Sequence, residues 1–439
     1  MAQETLQKFF EKLEGKNKEN NFKQTEIGLI PEDWKVVRLG KIMEPVSKKT
    51  RQIKVENGKF YKQITVRLYA RGLTIRAYLP GEKIKTKKQF IVKEGDFVFS
   101  KIDARNGAYG FVPLELDGGI VSNDFPILRI KNGANIFVNF LSYYLSLPQN
   151  WERIRSFACG TTNRKRIGIE DFLNAILIPL PPLSEQRKIA RVLDKIQQAI
   201  ELQDRIIEQA KRLKKSLMQK LFTEGLYGEE QKETEIGLIP KSWEVVKLGE
   251  IGIFEYGYTE TALEENTGIK FLRITDIKDD GLILWNEVPY CKISETKLKK
   301  YQLENGDILF ARIGATTGKT CFIESPPKSV FASYLIRLKI ETDVYKKFVY
   351  YYTQTPIYWS QVEANKEGKL KKGISATLLR TFKIPLPSLE EQKQIAHILS
   401  TVDKKIEVEQ KRKQVLKELF KTMLHKLMSG EIRLKEVEI

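Results

Sequence analysis

Histidine and cysteine are scarce in this 439-residue chain, which has two of the first and three of the second. Cys159, Cys291 and Cys321 are scattered, with no metal-ligand spacing, and their odd number argues against a disulfide framework. A reducing cytoplasm is therefore expected, with no metal site. His397 and His425 both fall in the final helical stretch, where solvated positions are expected rather than catalysts. No apolar run can span a bilayer: residues 172–183 come nearest, but they are too few and prolines break them. The first residues are polar and charged, so no secretory signal and no membrane partner are expected.

Catalytic motifs are equally sparse. No Gly-x-Gly-x-x-Gly follows a strand-like run. Arg312-Ile313-Gly314-Ala315-Thr316-Thr317-Gly318-Lys319-Thr320 resembles a phosphate loop, but that loop needs four residues between its glycines and a helix after Lys-Thr. Here three residues intervene, and Cys321-Phe322-Ile323 reads as a strand. A glycine-flanked basic loop approaching a DNA backbone fits better. No Asn-Pro-Pro-Tyr or Asp-Pro-Pro-Tyr motif of an amino-methyltransferase is present; Ser325-Pro326-Pro327-Lys328 lacks both ends. Glu-x-Lys fragments at Glu14/Lys16, Glu295/Lys297 and Glu367/Lys369 are what chance gives in so lysine-rich a chain. A binding protein without cofactor is favoured over an enzyme.

What the chain has is positive charge. Lys and Arg number 75 against 56 Asp and Glu, a formal net charge of +19 spread along most of the sequence. A heat-adapted surface raises both signs together; the one-sided excess favours a polyanion, most simply nucleic acid. The length calls for two or more domains.

The chain is also duplicated. Ile178-Pro179-Leu180-Pro181-Pro182-Leu183 leads to Glu185-Gln186-Arg187-Lys188-Ile189-Ala190, and Ile384-Pro385-Leu386-Pro387-Ser388-Leu389 leads to Glu391-Gln392-Lys393-Gln394-Ile395-Ala396, 206 residues later (384 minus 178). Thr25-Glu26-Ile27-Gly28-Leu29-Ile30-Pro31 returns as Thr234-Glu235-Ile236-Gly237-Leu238-Ile239-Pro240, and Trp34 returns as Trp243. Each of these copies predicts a docked loop before a strand, with tryptophan as anchor. Lys93-Glu94-Gly95-Asp96-Phe97-Val98-Phe99 and Glu304-Asn305-Gly306-Asp307-Ile308-Leu309-Phe310 predict a turn and a buried strand. Aromatics at helical spacing in 137–146 and 348–359 predict core helices. Between these anchors the halves barely match, which suits two readers of different ligands.

Each half ends in a long helical pattern. Ile189, Leu193, Ile196, Ile200, Gln203, Ile207, Ala210 and Leu217 form one seam. Ile395, Leu399, Val402, Ile406, Glu409, Lys413, Leu416, Phe420, Met423 and Leu427 form the other, so a coiled coil is expected. Gln203 and Glu409 are equivalent polar seam positions, of a kind that fixes register. Ser388-x-x-Glu391 predicts a capping box, and Gly225 and Gly430 predict helix ends. The spacing leaves parallel and antiparallel open.

With these motifs together, residues 25–430 resemble the DNA-specificity subunit of a type I restriction-modification system. The resemblance implies an α+β chain of two pseudo-repeated α/β target-recognition domains separated by two long antiparallel coiled-coil helices. The implied boundaries are an N-terminal helix and linker at 1–22, domains at 23–183 and 227–389, helices at 184–226 and 390–430, and a tail at 431–439. It implies double-stranded DNA with a bipartite target, modification (methyltransferase) subunits, two of them, and restriction subunits reached through the complex. Leu6, Phe9, Phe10 and Leu13 give residues 1–15 a helical face, expected to complete the base beside the second helix.

Candidate DNA contacts rest on side-chain chemistry: Lys and Arg on loops for phosphates, and Arg, Asn, Gln or Asp for base edges. In the first domain they are Arg67, Tyr69, Arg71, Arg76, Lys101, Arg105, Asn106, Thr162, Asn163, Arg164 and Lys165. In the second they are Arg273, Thr275, Asp276, Arg312, Thr316, Thr317, Lys319, Tyr334, Lys369, Lys371 and Lys372. Two rival readings stand beside this one: a coiled-coil nucleic-acid scaffold without restriction chemistry, and a self-sufficient nuclease or methyltransferase.

Overall fold

A computed structural model describes residues 21–158, 165–278, 281–365 and 373–435. The chain divides into two compact units, Met1–Leu202 with Lys413–Ile439, and Gln203–Arg412. The division cuts both long helices, so each unit holds one α/β domain and a part of each helix.

In the first unit, the hairpin Phe22–Thr25 and Gly28–Pro31 leads to Trp34, which is fully buried. Strand Lys35–Arg38, which follows the hairpin, then pairs antiparallel with the domain's last strand, Leu177–Leu180, and the two form a neck. Above it lies a four-stranded sheet in the order Tyr109–Phe111, Phe97–Phe99, Ile127–Ile130, Met43–Pro45. A five-stranded sheet follows in the order Gln52–Lys54, Lys88–Ile91, Ile120–Val121, Phe60–Val66, Leu73–Pro80. Helix Val138–Leu145 covers the core, where the Tyr144 hydroxyl donates to the Leu177 carbonyl at 2.7 Å.

The second unit repeats this frame. Glu244–Lys247 pairs with Lys383–Leu386 as the neck, and Trp243 is again fully buried. The four-stranded sheet keeps its order as Thr320–Phe322, Ile308–Ala311, Leu335–Ile340, Gly252–Tyr256. The other sheet shrinks to the parallel pair Lys270–Leu272 and Ser329–Phe331. The aromatic stretch 348–359 is not one helix: Lys346–Tyr352 ends, and Pro356–Ala364 begins with proline in its first turn. Thr355 caps that second helix, its hydroxyl accepting from the Tyr358 N–H at 3.3 Å.

The long helices are Leu183–Thr223 and Leu389–Ser429, 41 residues each, or roughly 60 Å at 1.5 Å per residue. In the first unit Lys188 Nζ donates to the Lys435 carbonyl at 2.7 Å, and Ile189, Leu193 and Ile196 share a core with Met423, Leu427 and Met428. In the second unit Gln203 meets Glu409, Lys214 pairs with Asp403 at 2.8 Å, and Leu221 and Phe222 share a core with Ile395 and Leu399. Numbers rise on one helix as they fall on the other, so the helices run antiparallel.

The helix starts depart from expectation. The Glu391 N–H donates to Ser388 Oγ at 3.3 Å, but the Glu391 carboxylate instead accepts from Trp243 Nε1 at 3.1 Å and the Leu226 N–H at 3.1 Å. Half of the capping box is thus given up to anchor the domain's tryptophan. Glu185 likewise accepts from Trp34 Nε1 at 3.3 Å and the Leu434 N–H at 3.1 Å. Of the expected tail, residues 431–435 are structural in the first unit. Ile432 and Leu434 are buried, and Arg433 forks onto Glu185 at 2.8 Å and Asp33 at 2.9 Å while lying 5.3 Å from the Trp34 ring. Residues 1–15, expected at this base, lie outside the described residues.

Candidate nucleic-acid interface

In the first domain, the turn between Phe60–Val66 and Leu73–Pro80 carries Arg67, Tyr69 and Arg71. Tyr69 and Ala70 are left-handed, at φ +62° and +51°, which costs non-glycine residues about 1–2 kcal/mol each. Three backbone hydrogen bonds hold the turn: Tyr69 N–H to the Asn106 carbonyl at 2.7 Å, Ala70 N–H to the Gly107 carbonyl at 2.8 Å, and Arg67 N–H to the Gly72 carbonyl at 2.9 Å. Arg76 is exposed on the second strand, where the pairing slips between Gln63↔Ala77 and Ile64↔Ile75. A bulge of this kind re-aims the side chain it carries.

The loop joined to this turn follows the buried strand Phe97–Phe99. It begins at Lys101 and passes through the short 3₁₀ turn Ala104–Asn106. Gly107 ends it at φ +73°, and a Cβ there would lie 2.8 Å from the Trp151 ring. In the second domain, 211 residues on (318 minus 107), Gly318 ends the equivalent loop at φ +90°, and its Cβ would lie 2.7 Å from Val362 and 3.2 Å from the Trp359 ring. Each loop is thus seated on a tryptophan through a position that only glycine fits. Arg155 reaches the first loop from helix Pro148–Phe157, donating to the Arg105 carbonyl at 3.0 Å and to Asn106 Oδ1 at 3.3 Å.

A second basic group surrounds Lys101. Burial, and then repulsion from Lys48 and Arg166, push its ammonium below the ordinary lysine value, with Asp124 partly opposing. Lys48 donates to Asn123 Oδ1 at 2.8 Å, and Arg166 lies 3.4 Å from Asp124. Lys165 is exposed beside them. One carboxylate among four cations leaves a net positive site, suited to phosphate. Thr162, Asn163 and Arg164 lie outside the described residues.

In the second domain, Arg312 follows strand Ile308–Ala311 and stands 4.9 Å from the Tyr256 ring, with Nη1 donating to the Ser333 carbonyl at 3.4 Å. Tyr334 is exposed beside that carbonyl, while Thr316 and Lys319 are half-buried on the loop. Thr317 is buried, and its hydroxyl donates to the Gly314 carbonyl at 2.7 Å, so it shapes the loop from within. Arg273 and Asp276 sit together, but on each other: the Asp276 carboxylate takes Nε at 3.1 Å and Nη2 at 2.8 Å. Thr275 between them is exposed. Lys369, Lys371 and Lys372 lie outside the described residues.

Sequence reasoning missed Arg155, Trp151, Lys48, Arg166 and Tyr256. Arg166 ends the basic run that supplied Lys165, so it was within reach. Arg155 and Tyr256 come from other elements, and no local pattern marks them. Among the described residues, no group of three or more His, Cys, Asp or Glu could hold a metal ion, and no helix is long and apolar enough to cross a membrane.

Comparison with known proteins places these features. The family described as type I restriction modification DNA specificity domain matches residues 31–212 and again 240–418. The chain is 29% identical over 432 residues to the type I restriction enzyme MjaVIII specificity subunit of Methanocaldococcus jannaschii, covering 96% of this chain and 98% of the relative. Among solved structures it is similar to the type I restriction-modification S subunit from M. genitalium, at a TM-score of 0.53 and 17% identity, covering 90% of this chain and 96% of that one. A chain from a study of assembly and conformational transition in the type I R-M system gives a TM-score of 0.56 at 19% identity, covering 92% and 99%. At those identities the likeness to structures concerns the fold.

Proposed function

Since this chain belongs to the type I restriction-modification DNA-specificity family, we propose that it is the specificity subunit of such an enzyme and reads a bipartite site in double-stranded DNA. Each recognition domain reads one half of the site. The antiparallel helices set the number of untouched base pairs between the halves and dock the modification subunits, one to each repeat. Methylation and cleavage are the work of those partners and of restriction subunits joined through them, in the cytoplasm.

One observation carries this reading. Both domains keep the same neck, the same sheet order and the same glycine-on-tryptophan seat, yet the surfaces built on that frame differ. The first has a five-stranded sheet with a left-handed aromatic turn; the second has a two-stranded sheet and a closed Arg273–Asp276 pair. A shared frame with unlike contents is what two readers of unlike half-sites require. Net charge supplies the general attraction to phosphate, and groove-edge residues supply discrimination.

The deciding experiment is methylation mapping of the host genome with and without the gene for this chain. A two-part methylated motif that disappears with the gene supports the reading. An unchanged methylome in a host whose modification subunits are expressed would sink it.

A further inference from the structure

We propose that Tyr69 is a wedge that opens one base step in the half-site read by the first domain, with Arg155 as the positioning residue behind it. The inference rests on the DNA-reading role proposed above and goes further by naming a mode of contact.

The backbone is the first argument. Among the described residues of the first domain, the non-glycine positions with positive φ are the adjacent Tyr69 and Ala70. A turn that merely joined two strands would place glycine or asparagine there. Strain of this kind persists where surrounding structure enforces it, and it gathers at functional sites. Here the two bonds to the Asn106 and Gly107 carbonyls enforce it.

The ring is the second. Tyr69 is 57% exposed, yet its ring lies 5.8 Å from Trp151, whose own position is set by the close approach of Gly107. A rigid, solvent-facing aromatic suits insertion between bases, because little side-chain freedom is left to lose.

The surrounding charge is the third. Arg67 donates to the Arg71 carbonyl, Arg71 to the Leu68 carbonyl at 3.2 Å, and Arg155 to the Arg105 carbonyl and Asn106 Oδ1. All these acceptors are neutral, so the bonds fix the guanidiniums without cancelling their charge. Cations flanking an inserted ring match the phosphates on either side of an opened step. In the second domain, by contrast, the Arg273 guanidinium is closed on the Asp276 carboxylate.

The test uses the full-length chain with the partner subunits that copurify with it. The duplexes carry the mapped bipartite target, with 2-aminopurine at successive positions of each half-site. Binding is expected to raise fluorescence at one step of the first half-site. Tyr69→Phe keeps that rise. Tyr69→Gly, which tolerates the left-handed turn but has no ring, abolishes it and weakens specific binding about tenfold. Arg155→Lys keeps the binding of random duplex but blunts the rise, because a point charge cannot hold both the carbonyl and the amide. Apart from the methylated base, which the modification subunit itself takes out of the stack, a bipartite complex with no responsive step in the first half-site, or a rise that survives Tyr69→Gly, overturns the wedge and leaves the specificity role standing. Failure of the unaltered complex to discriminate the bipartite target overturns both.

Discussion

Gln203 Nε2 donates to Glu409 Oε2 at 2.6 Å, and the two residues are each other's counterpart in the duplication, 206 positions apart. Both are buried, at 4% and 6% exposure. In an antiparallel pair of repeated helices, a residue that meets its own counterpart marks the centre of the register. Ile207 and Ile406 lie next to the pair on the seam, so sliding the helices would set a buried amide or carboxylate against an apolar side chain. The unlike pair also solves a problem that two glutamates would create.

That problem is testable. The hydrogen bond from Gln203 is the largest influence on Glu409 and, with Arg412 and Lys405, holds its carboxyl below the ordinary value of 4.5 against burial. A lowered folded pKa gives stability that is present above about pH 4.5 and lost as pH falls through the folded value. Gln203→Glu should reverse the sign: two facing carboxylates raise one pKa, so the variant loses roughly 3 kcal/mol at pH 7 and recovers part of it on acidification. Thermal melts at pH 7 and pH 5 check this; a variant equally destabilised at both would refute it.

Arg433 is the second target. Burial alone would raise the Asp33 pKa, but bonds from Arg433 and Lys435 outweigh it and hold the group at about 2. Arg433→Met removes the fork and leaves Glu185, 1% exposed, with Trp34 and the Leu434 N–H as partners. A loss of about 3–5 kcal/mol in urea unfolding is expected. The wild type should also lose stability as pH falls from about 4 towards 2, and the variant should lose less over that window, because its Asp33 pKa lies nearer the unfolded value.

Two left-handed glycines, one at a helix end and one in a turn between strands, allow a controlled comparison. Gly430 has φ +76°, and a Cβ there would lie 2.4 Å from Pro31. Gly58 has φ +80° with nothing within 4 Å. Gly58→Ala should cost about 1 kcal/mol from backbone strain alone. Gly430→Ala should cost clearly more, because Pro31 is a stiff neighbour. Equal melting temperatures for the two variants would show that the Pro31 contact yields easily.

The basic group around Lys101 should act on phosphate. Replacing Lys48 and Arg166 with alanine should weaken binding to all duplexes and flatten the salt slope by about 0.9 for each lost contact. The preferred sequence should not change. A changed target in selection from random duplexes would move these residues to the base-reading set.

Much of this architecture was readable because repeats and seams are local or periodic signals. The two 41-residue helices, the buried Trp34 and Trp243, and the turns before Phe97 and Ile308 follow from spacing alone. The fate of the predicted capping box did not. Glu391 was read from its neighbour Ser388, while a tryptophan 148 residues away claims its carboxylate. Arg433 and Asp33, 400 residues apart, left no local trace, so their segment read as a tail. The same limit applied at the interface. Arg105 and Asn106 were visible as loop residues after a strand, but the helix arginine that orients them was not.

The neck strands have a consequence of their own. In an antiparallel pair, neighbouring backbones lie about 5 Å apart. Each domain therefore leaves its neck almost where it began, with Lys35 opposite Leu180 in one and Glu244 opposite Leu386 in the other. To the helix that follows, everything beyond the neck is topologically a single large loop. Cassettes of different length could be grafted there without moving the anchorage. Variety in what is recognised can accumulate by exchange of whole inserts, while the seam between the helices is inherited intact.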